Sequence, residues 1–132
     1  MASVMARQAR EWPVAPVRAT AARVLVVDDD RDIRELLVEL LGGEGYLVSS
    51  AADGRQALLE AHAHRPDVIL LDLMMPVMDG WQFRAAQLED PDLAGVPVVV
   101  ISAFDHDLDA AAVMQKPFLV EELLATVHRL AV

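Results

Sequence analysis

Val68-Ile69-Leu70-Leu71-Asp72-Leu73-Met74-Met75-Pro76-Val77-Met78-Asp79-Gly80 passes from a purely aliphatic run to an aspartate and then to turn residues. Four aliphatic residues with no polar alternation describe a strand buried on both faces, and Pro76 with Asp79-Gly80 ends it in a loop. Asp72 therefore stands where a parallel sheet opens to solvent. Ligands bind and chemistry occurs at that edge of open α/β sheets, outside the carboxyl ends of the strands.

Working outward, Arg23 to Asp28 reads as another buried strand, followed by Ile33, Leu36, Leu37, Leu40 and Leu41 at helical spacing and by Gly42-Gly43 as a stop. Strand character resumes over Tyr46 to Ser50. Asp53 is a helix N-cap, with Ala57, Leu58 and Ala61 on the apolar face behind it. Beyond Asp72, Gly80 opens a helix with Phe83 and Leu88 inside, Pro97 to Ser102 is a fourth strand, and Ala111 to Gln115 a short fifth. Val120, Leu123, Leu124, Val127 and Leu130 mark a last helix. Five strands alternating with helices imply right-handed crossovers and a doubly wound, three-layer α/β sandwich.

The chain has 132 residues, enough for one domain, and no cysteine, so neither a disulfide framework nor a thiolate metal site is available. The longest apolar runs fall far short of the ~20 residues of a membrane helix, and Arg7, Arg10 and Glu11 break up any signal-peptide core, so a cytoplasmic protein is expected. Of the net charge of −10, residues 1–23 carry +3 and residues 24–132 carry −13. Such a field repels phosphate backbones and favours divalent cations or basic partner surfaces. Residues 1–22, with Trp12-Pro13 and Ala15-Pro16, read as a basic, flexible leader.

Asp28, Asp29 and Asp30 follow the first strand, Asp72 the third, Ser102 the fourth and Lys116 the fifth. If the first and third strands are neighbours, Asp28, Asp29 and Asp72 converge, and three like charges that close need a cation. Few protein oxygens with room for water suit Mg²⁺ better than Ca²⁺. Asp30 reads as a cap of the first helix. Lys116 is the only lysine beside ten arginines, a compact point charge on a flexible stem, and Pro117 after it makes a cis bond accessible. Gly42-Gly43-Glu44-Gly45 follows a helix instead of opening one, so it is a turn and no phosphate cradle. Asp105-His106-Asp107 reads as a polar turn, His62, His64 and His128 as helix-end residues, and Trp81 as a packing residue or, where exposed, a docking candidate.

In order, Val26-Val27-Asp28-Asp29-Asp30, Leu71-Asp72-Leu73-Met74-Met75-Pro76 with Asp79-Gly80, Ser102-Ala103 and Lys116-Pro117-Phe118 resemble the motifs of the receiver domain of two-component response regulators. The resemblance covers roughly residues 23 to 131, and a receiver domain is assigned to 23–132. It implies a flavodoxin-like sheet of order 2-1-3-4-5. It also implies Asp72 as phosphoacceptor from a sensor histidine kinase or histidine phosphotransfer protein, and Mg²⁺ on Asp28, Asp29, Asp72 and the Met74 backbone carbonyl. Lys116 and Ser102 would contact the phosphoryl group, and Asp79 would be a turn residue. With no output module after the last helix, output is expected through contact with a downstream protein, from a monomer.

Three departures stand against the family pattern. Only thirteen residues separate Ser102 from Lys116, which leaves Ala103 to Ala110 for both loops and hardly two turns of the helix that the family carries there. Val113 occupies a position that is often aromatic and part of the family's switch. Met74 and Phe104, two residues beyond Asp72 and Ser102, cannot orient an attacking water by a hydrogen bond, which predicts slow hydrolysis of the aspartyl phosphate. A phosphorylation-independent docking module is the alternative that the short segment favours. An aspartate-nucleophile hydrolase of the haloacid dehalogenase kind would need a second aspartate where Met74 stands.

Overall fold

Alternating buried strands and amphipathic helices assemble as the periodicity predicts in the computed structural model, which describes residues 21–103 and 109–131. The order is β1 (Arg23–Val27), α1 (Arg31–Gly43), β2 (Leu47–Ala51), α2 (Gly54–Ala63), β3 (Val68–Leu71), α3 (Gly80–Glu89), β4 (Val98–Ser102), β5 (Ala112–Gln115) and α4 (Val120–Leu130). The five strands form one parallel sheet of order β2-β1-β3-β4-β5. The leader, apart from its last two residues, and the Phe104 and Asp105-His106-Asp107 expectations lie outside the described residues.

Alternate residues of the central strands feed two cores. Leu25, Val27, Ile69, Leu71, Val98 and Val100 pack against Ala57 and Ala61 of α2 and Phe83 of α3. Val24, Val26, Val68, Leu70, Val99 and Ile101 pack against Leu37 and Leu41 of α1 and Leu123 and Val127 of α4. Every residue of β3 and β4 is buried, as a strand covered on both faces requires. Each fully buried Leu, Ile or Val contributes about 1.5–3 kcal/mol, so the strand ends that carry the polar residues are held by many such contacts.

The helix starts follow their capping residues. The Asp30 carboxylate accepts from the N–H groups of Asp32 and Ile33, and Asp53 accepts from Gln56 N–H. Asp79 forms a reciprocal capping box with Gln82, so the residue expected to be a turn residue is the N-cap of α3.

Two expectations about buried faces are corrected. Leu88 is 53% exposed, and the buried position on that face of α3 belongs to Gln87. The Gln87 amide donates to the carbonyls of Leu93 and Val96, both at 2.9 Å, and so ties the α3–β4 loop to the helix from inside. On α1, Leu36 is exposed while Leu37 and Leu41 carry the core contact.

Two backbone features shape the loop after β3. Val77 sits at φ 67, a left-handed conformation that costs a non-glycine residue about 1–2 kcal/mol. Gly80 begins α3 against the preceding chain: its N–H donates to Leu73 O at 2.9 Å, and a Cβ there would lie 2.5 Å from Asp72 O and 2.7 Å from Leu73 Cα. Both obstacles are backbone, so Gly80→Ala is expected to lower the stability by about 3 kcal/mol in urea unfolding, from overpacking alone. A loss under about 0.5 kcal/mol would show that α3 can stand off from the Asp72 loop.

Candidate functional site

The carboxyl ends of β1, β3, β4 and β5 lie side by side because those strands are neighbours in the sheet. β1 and β3 are hydrogen-bonded partners with Val27 opposite Leu71, so Asp28 and Asp72, the next residue of each strand, face one another. Asp72 N–H donates to Val27 O at 2.8 Å, which ties the two ends directly. One carboxylate oxygen each of Asp28, Asp29 and Asp72 lie within 4.8 Å of one another. Asp28 and Asp72 are buried and Asp29 is exposed, so the cluster opens to solvent on one side.

Asp28 is fixed from every direction. Its N–H donates to Ala51 O at 3.1 Å, and its carbonyl accepts from Arg34 Nη1 at 2.7 Å. Its Oδ1 accepts from Asp30 N–H and its Oδ2 from Lys116 Nζ, both at 2.9 Å. Arg34 escaped the sequence reading because an arginine on the second turn of a surface helix carries no pattern that distinguishes it from a solvated one.

Lys116 reaches the cluster from the far side. Its Nζ is 2.9 Å from Asp28 Oδ2 and 3.7 Å from Asp72 Oδ1. Its N–H donates to Ser102 O at 2.7 Å, and Ser102 is buried opposite Gln115 in the β4–β5 register. The Lys116–Pro117 bond is cis, as that dipeptide allows, and Phe118 packs into the core beneath α1 and α4. The structure thus brings Asp28, Asp29, Asp72, Ser102 and Lys116 to one edge. Met74 lies two residues past Asp72 with its side chain exposed.

Burial pushes the Asp72 carboxyl up to about 6, and the Asp28 and Asp29 charges push the same way against the pull of Lys116. Burial by itself would lower Lys116, but its hydrogen bond to Asp28 and the charges of Asp28 and Asp72 outweigh that and hold its pKa above the ordinary value. The cluster is therefore short of positive charge even with the lysine in place. Three carboxylates and no softer donor make a hard-oxygen set, the kind a Mg²⁺ ion takes while keeping several waters.

The model of the response regulator receiver domain matches residues 24–128. The chain belongs to the receiver-domain family of response regulators. Response regulator MprA of Mycolicibacterium vanbaalenii is 44% identical over 117 residues, a match covering 82% of this chain and 49% of that protein. The protein of the same name from Mycobacterium avium is 43% identical over 117 residues, covering 82% and 50%. The match thus spans about half the length of these curated relatives. Among solved structures, chemotaxis protein CheY4 of Vibrio cholerae superposes with a TM-score of 0.78 at 36% identity, covering 83% of this chain and 98% of that one. The receiver domain of Francisella response regulator 1452 gives a TM-score of 0.75 at 30% identity, covering 83% and 96%. This receiver has the flavodoxin-like sheet of order 2-1-3-4-5 expected from its sequence. Among the described residues no helix is long and apolar enough to cross a membrane.

The raised carboxyl has a stability consequence with a defined sign. Below its ordinary value of 3.8, Asp72 is protonated in folded and unfolded chains alike and costs nothing. Between 3.8 and about 6 the unfolded chain ionises first, and above about 6 the folded state carries the full penalty, about 3 kcal/mol. Asp72→Asn is expected to stabilise the metal-free protein by about 2 to 3 kcal/mol near neutral pH, with the gain fading through pH 6 and gone below about 4. Urea unfolding across that range measures it; a gain that persisted unchanged below pH 4 would mean that charge is not its cause.

Proposed function

We propose that this receiver accepts a phosphoryl group on Asp72 from a phosphohistidine of a sensor histidine kinase or histidine phosphotransfer protein and signals by protein contact. The observation that carries this reading is the convergence of Asp28, Asp29 and Asp72 within 4.8 Å, with Lys116 Nζ 3.7 Å from Asp72. In the transfer, an Asp72 carboxylate oxygen forms a bond to phosphorus as the phosphorus–nitrogen bond to the donor imidazole breaks, and that imidazole keeps the electron pair and takes up a proton.

Phosphoryl transfer spreads negative charge over three equatorial oxygens, so positioning and electrostatic stabilisation carry most of the catalysis. Lys116, already lodged between Asp28 and Asp72, supplies one fixed positive charge. Asp28, Asp29, Asp72 and the Met74 backbone carbonyl would hold Mg²⁺, which supplies positive charge against the phosphoryl oxygens when bound. The Ser102 hydroxyl, at the end of β4, donates to a phosphoryl oxygen once the group is in place and draws that strand end inward. Val113 is too small to refill the space as an aromatic ring would, so the change propagates through backbone and loop. The domain's catalysis is confined to its own phosphorylation and dephosphorylation. Its place is the cytoplasm, and its acidic surface suits protein partners over nucleic acid.

Incubation with acetyl phosphate and Mg²⁺, followed by intact mass, is expected to show one added phosphoryl group that is lost with Asp72→Ala or with chelator. No gain from acetyl phosphate or from a panel of histidine kinases would sink this reading and favour a constitutive docking module.

The side chain two residues past the acceptor is exposed and apolar, and an exposed thioether holds no water in line for attack. Met74→Asn is expected to raise the hydrolysis rate of the aspartyl phosphate by about tenfold, roughly the worth of one net hydrogen bond. Slower hydrolysis in that variant would refute the role given to position 74.

A further inference from the structure

The chain has six methionines and no cysteine, so thioethers are the softest nucleophiles it offers to an oxidant. A thioether is uncharged at every ordinary pH, and its reaction with a hydroperoxide is therefore governed by how freely solvent reaches the sulfur. Met74, Met75, Met78 and Met114 lie among the described residues. Met114 is 7% exposed in the core under α1 and α4. Met75 and Met78 are partly buried against the core under α2 and α3. The Met78 sulfur is also seated on the start of α2, 3.0 Å from where a Cβ on Gly54 would stand. Met74 differs from these three, being 54% exposed.

Its place matters more than its exposure. Leu73 is wholly buried, and Met74, next after it, turns outward. One residue thus separates an accessible sulfur from Asp72, whose cluster with Asp28 and Asp29 opens to solvent on the Asp29 side. When a hydroperoxide reaches that sulfur, a sulfur lone pair attacks one peroxide oxygen and the O–O bond breaks. The departing hydroxide takes the proton from the new S–OH group and leaves as water, so sulfur is oxidised by two electrons and the peroxide reduced. The product is a sulfoxide, polar where the thioether was apolar, with an oxygen that accepts hydrogen bonds. An acceptor at this position can hold one hydrogen of a water molecule and keep the water's free lone pair turned toward phosphorus.

We propose that Met74 is an oxidation site through which hydroperoxides shorten the life of the aspartyl phosphate on Asp72. This rests on the reading of Asp72 as phosphoacceptor and adds a regulation of that same site. Methionine sulfoxide is reducible by two enzymes, one for each epimer at sulfur, so the effect is reversible.

The test treats the full chain with hydrogen peroxide, quenches with free methionine and locates the sulfoxides by tandem mass spectrometry. Treated and untreated samples are then phosphorylated with acetyl phosphate and Mg²⁺, freed of donor, and followed by intact mass as the phosphoryl group is lost. Met74 is expected to be oxidised ahead of Met75, Met78 and Met114, and hydrolysis to quicken by about tenfold, the worth of one net hydrogen bond. Treatment with both sulfoxide reductases is expected to restore the untreated rate, and peroxide to leave the rate of Met74→Leu where it stood before treatment. Oxidation of Met75, Met78 or Met114 before Met74 would overturn the proposal. So would an unchanged or slower hydrolysis with Met74 fully oxidised, failure of the oxidised protein to take the phosphoryl group, or the same quickening in Met74→Leu. In each of those cases a phosphorylated untreated sample leaves the reading of Asp72 standing. An untreated sample that takes no phosphoryl group from acetyl phosphate or from histidine kinases would sink both.

Discussion

Lys116 lies 2.9 Å from Asp28 and 3.7 Å from Asp72, and without that ammonium three carboxylates would face one another at the mouth of a buried sheet with no positive charge among them. Even with it, Asp72 holds its proton to about pH 6, because burial and the Asp28 charge outweigh one lysine. This shortage of positive charge is what makes the edge a place for a cation and for a group that arrives with one. The scaffold holds Asp28 in place within it, because the Asp28 backbone and both its carboxylate oxygens are bound.

The same constraint explains the local backbone. Gly80 lets α3 begin in contact with the carbonyl of Asp72, and Val77 takes a left-handed turn between them. The left-handed turn and the close approach both fall within the nine residues after β3, Asp72 to Gly80, where the surrounding core over-determines the path. The lysine's position depends on β5, whose end is tied to β4 by the bond from Lys116 N–H to Ser102 O. β5 must therefore keep its register even though the connection leading to it is short.

Much of this was legible in the residues. Uniform aliphatic runs ending in Asp28, Asp72 and Ser102 located three strand ends, and the capping aspartates 30 and 53 located helix starts, because burial on both faces and unsatisfied helix N–H groups each leave a local signature. Gln87 and Leu88 show where that stops. Apolar spacing assigned Leu88 to the core, but the two carbonyls that Gln87 satisfies belong to a loop whose path no local pattern reveals. Arg34 is similar, since its carbonyl partner lies across the β1–α1 turn.

By itself the sequence determined the alternation of strands and helices, the doubly wound class and the residue types at each strand end, since periodicity and polarity are properties of neighbours along the chain. The tertiary structure alone decided that Asp28, Asp29 and Asp72 come within 4.8 Å, that Lys116 bonds Asp28 more closely than Asp72, and that Val113 is left half open. Those depend on strand register and on which helix covers which face. Coulombic and packing energies act through space over a few ångströms, between residues that the chain places up to 88 positions apart.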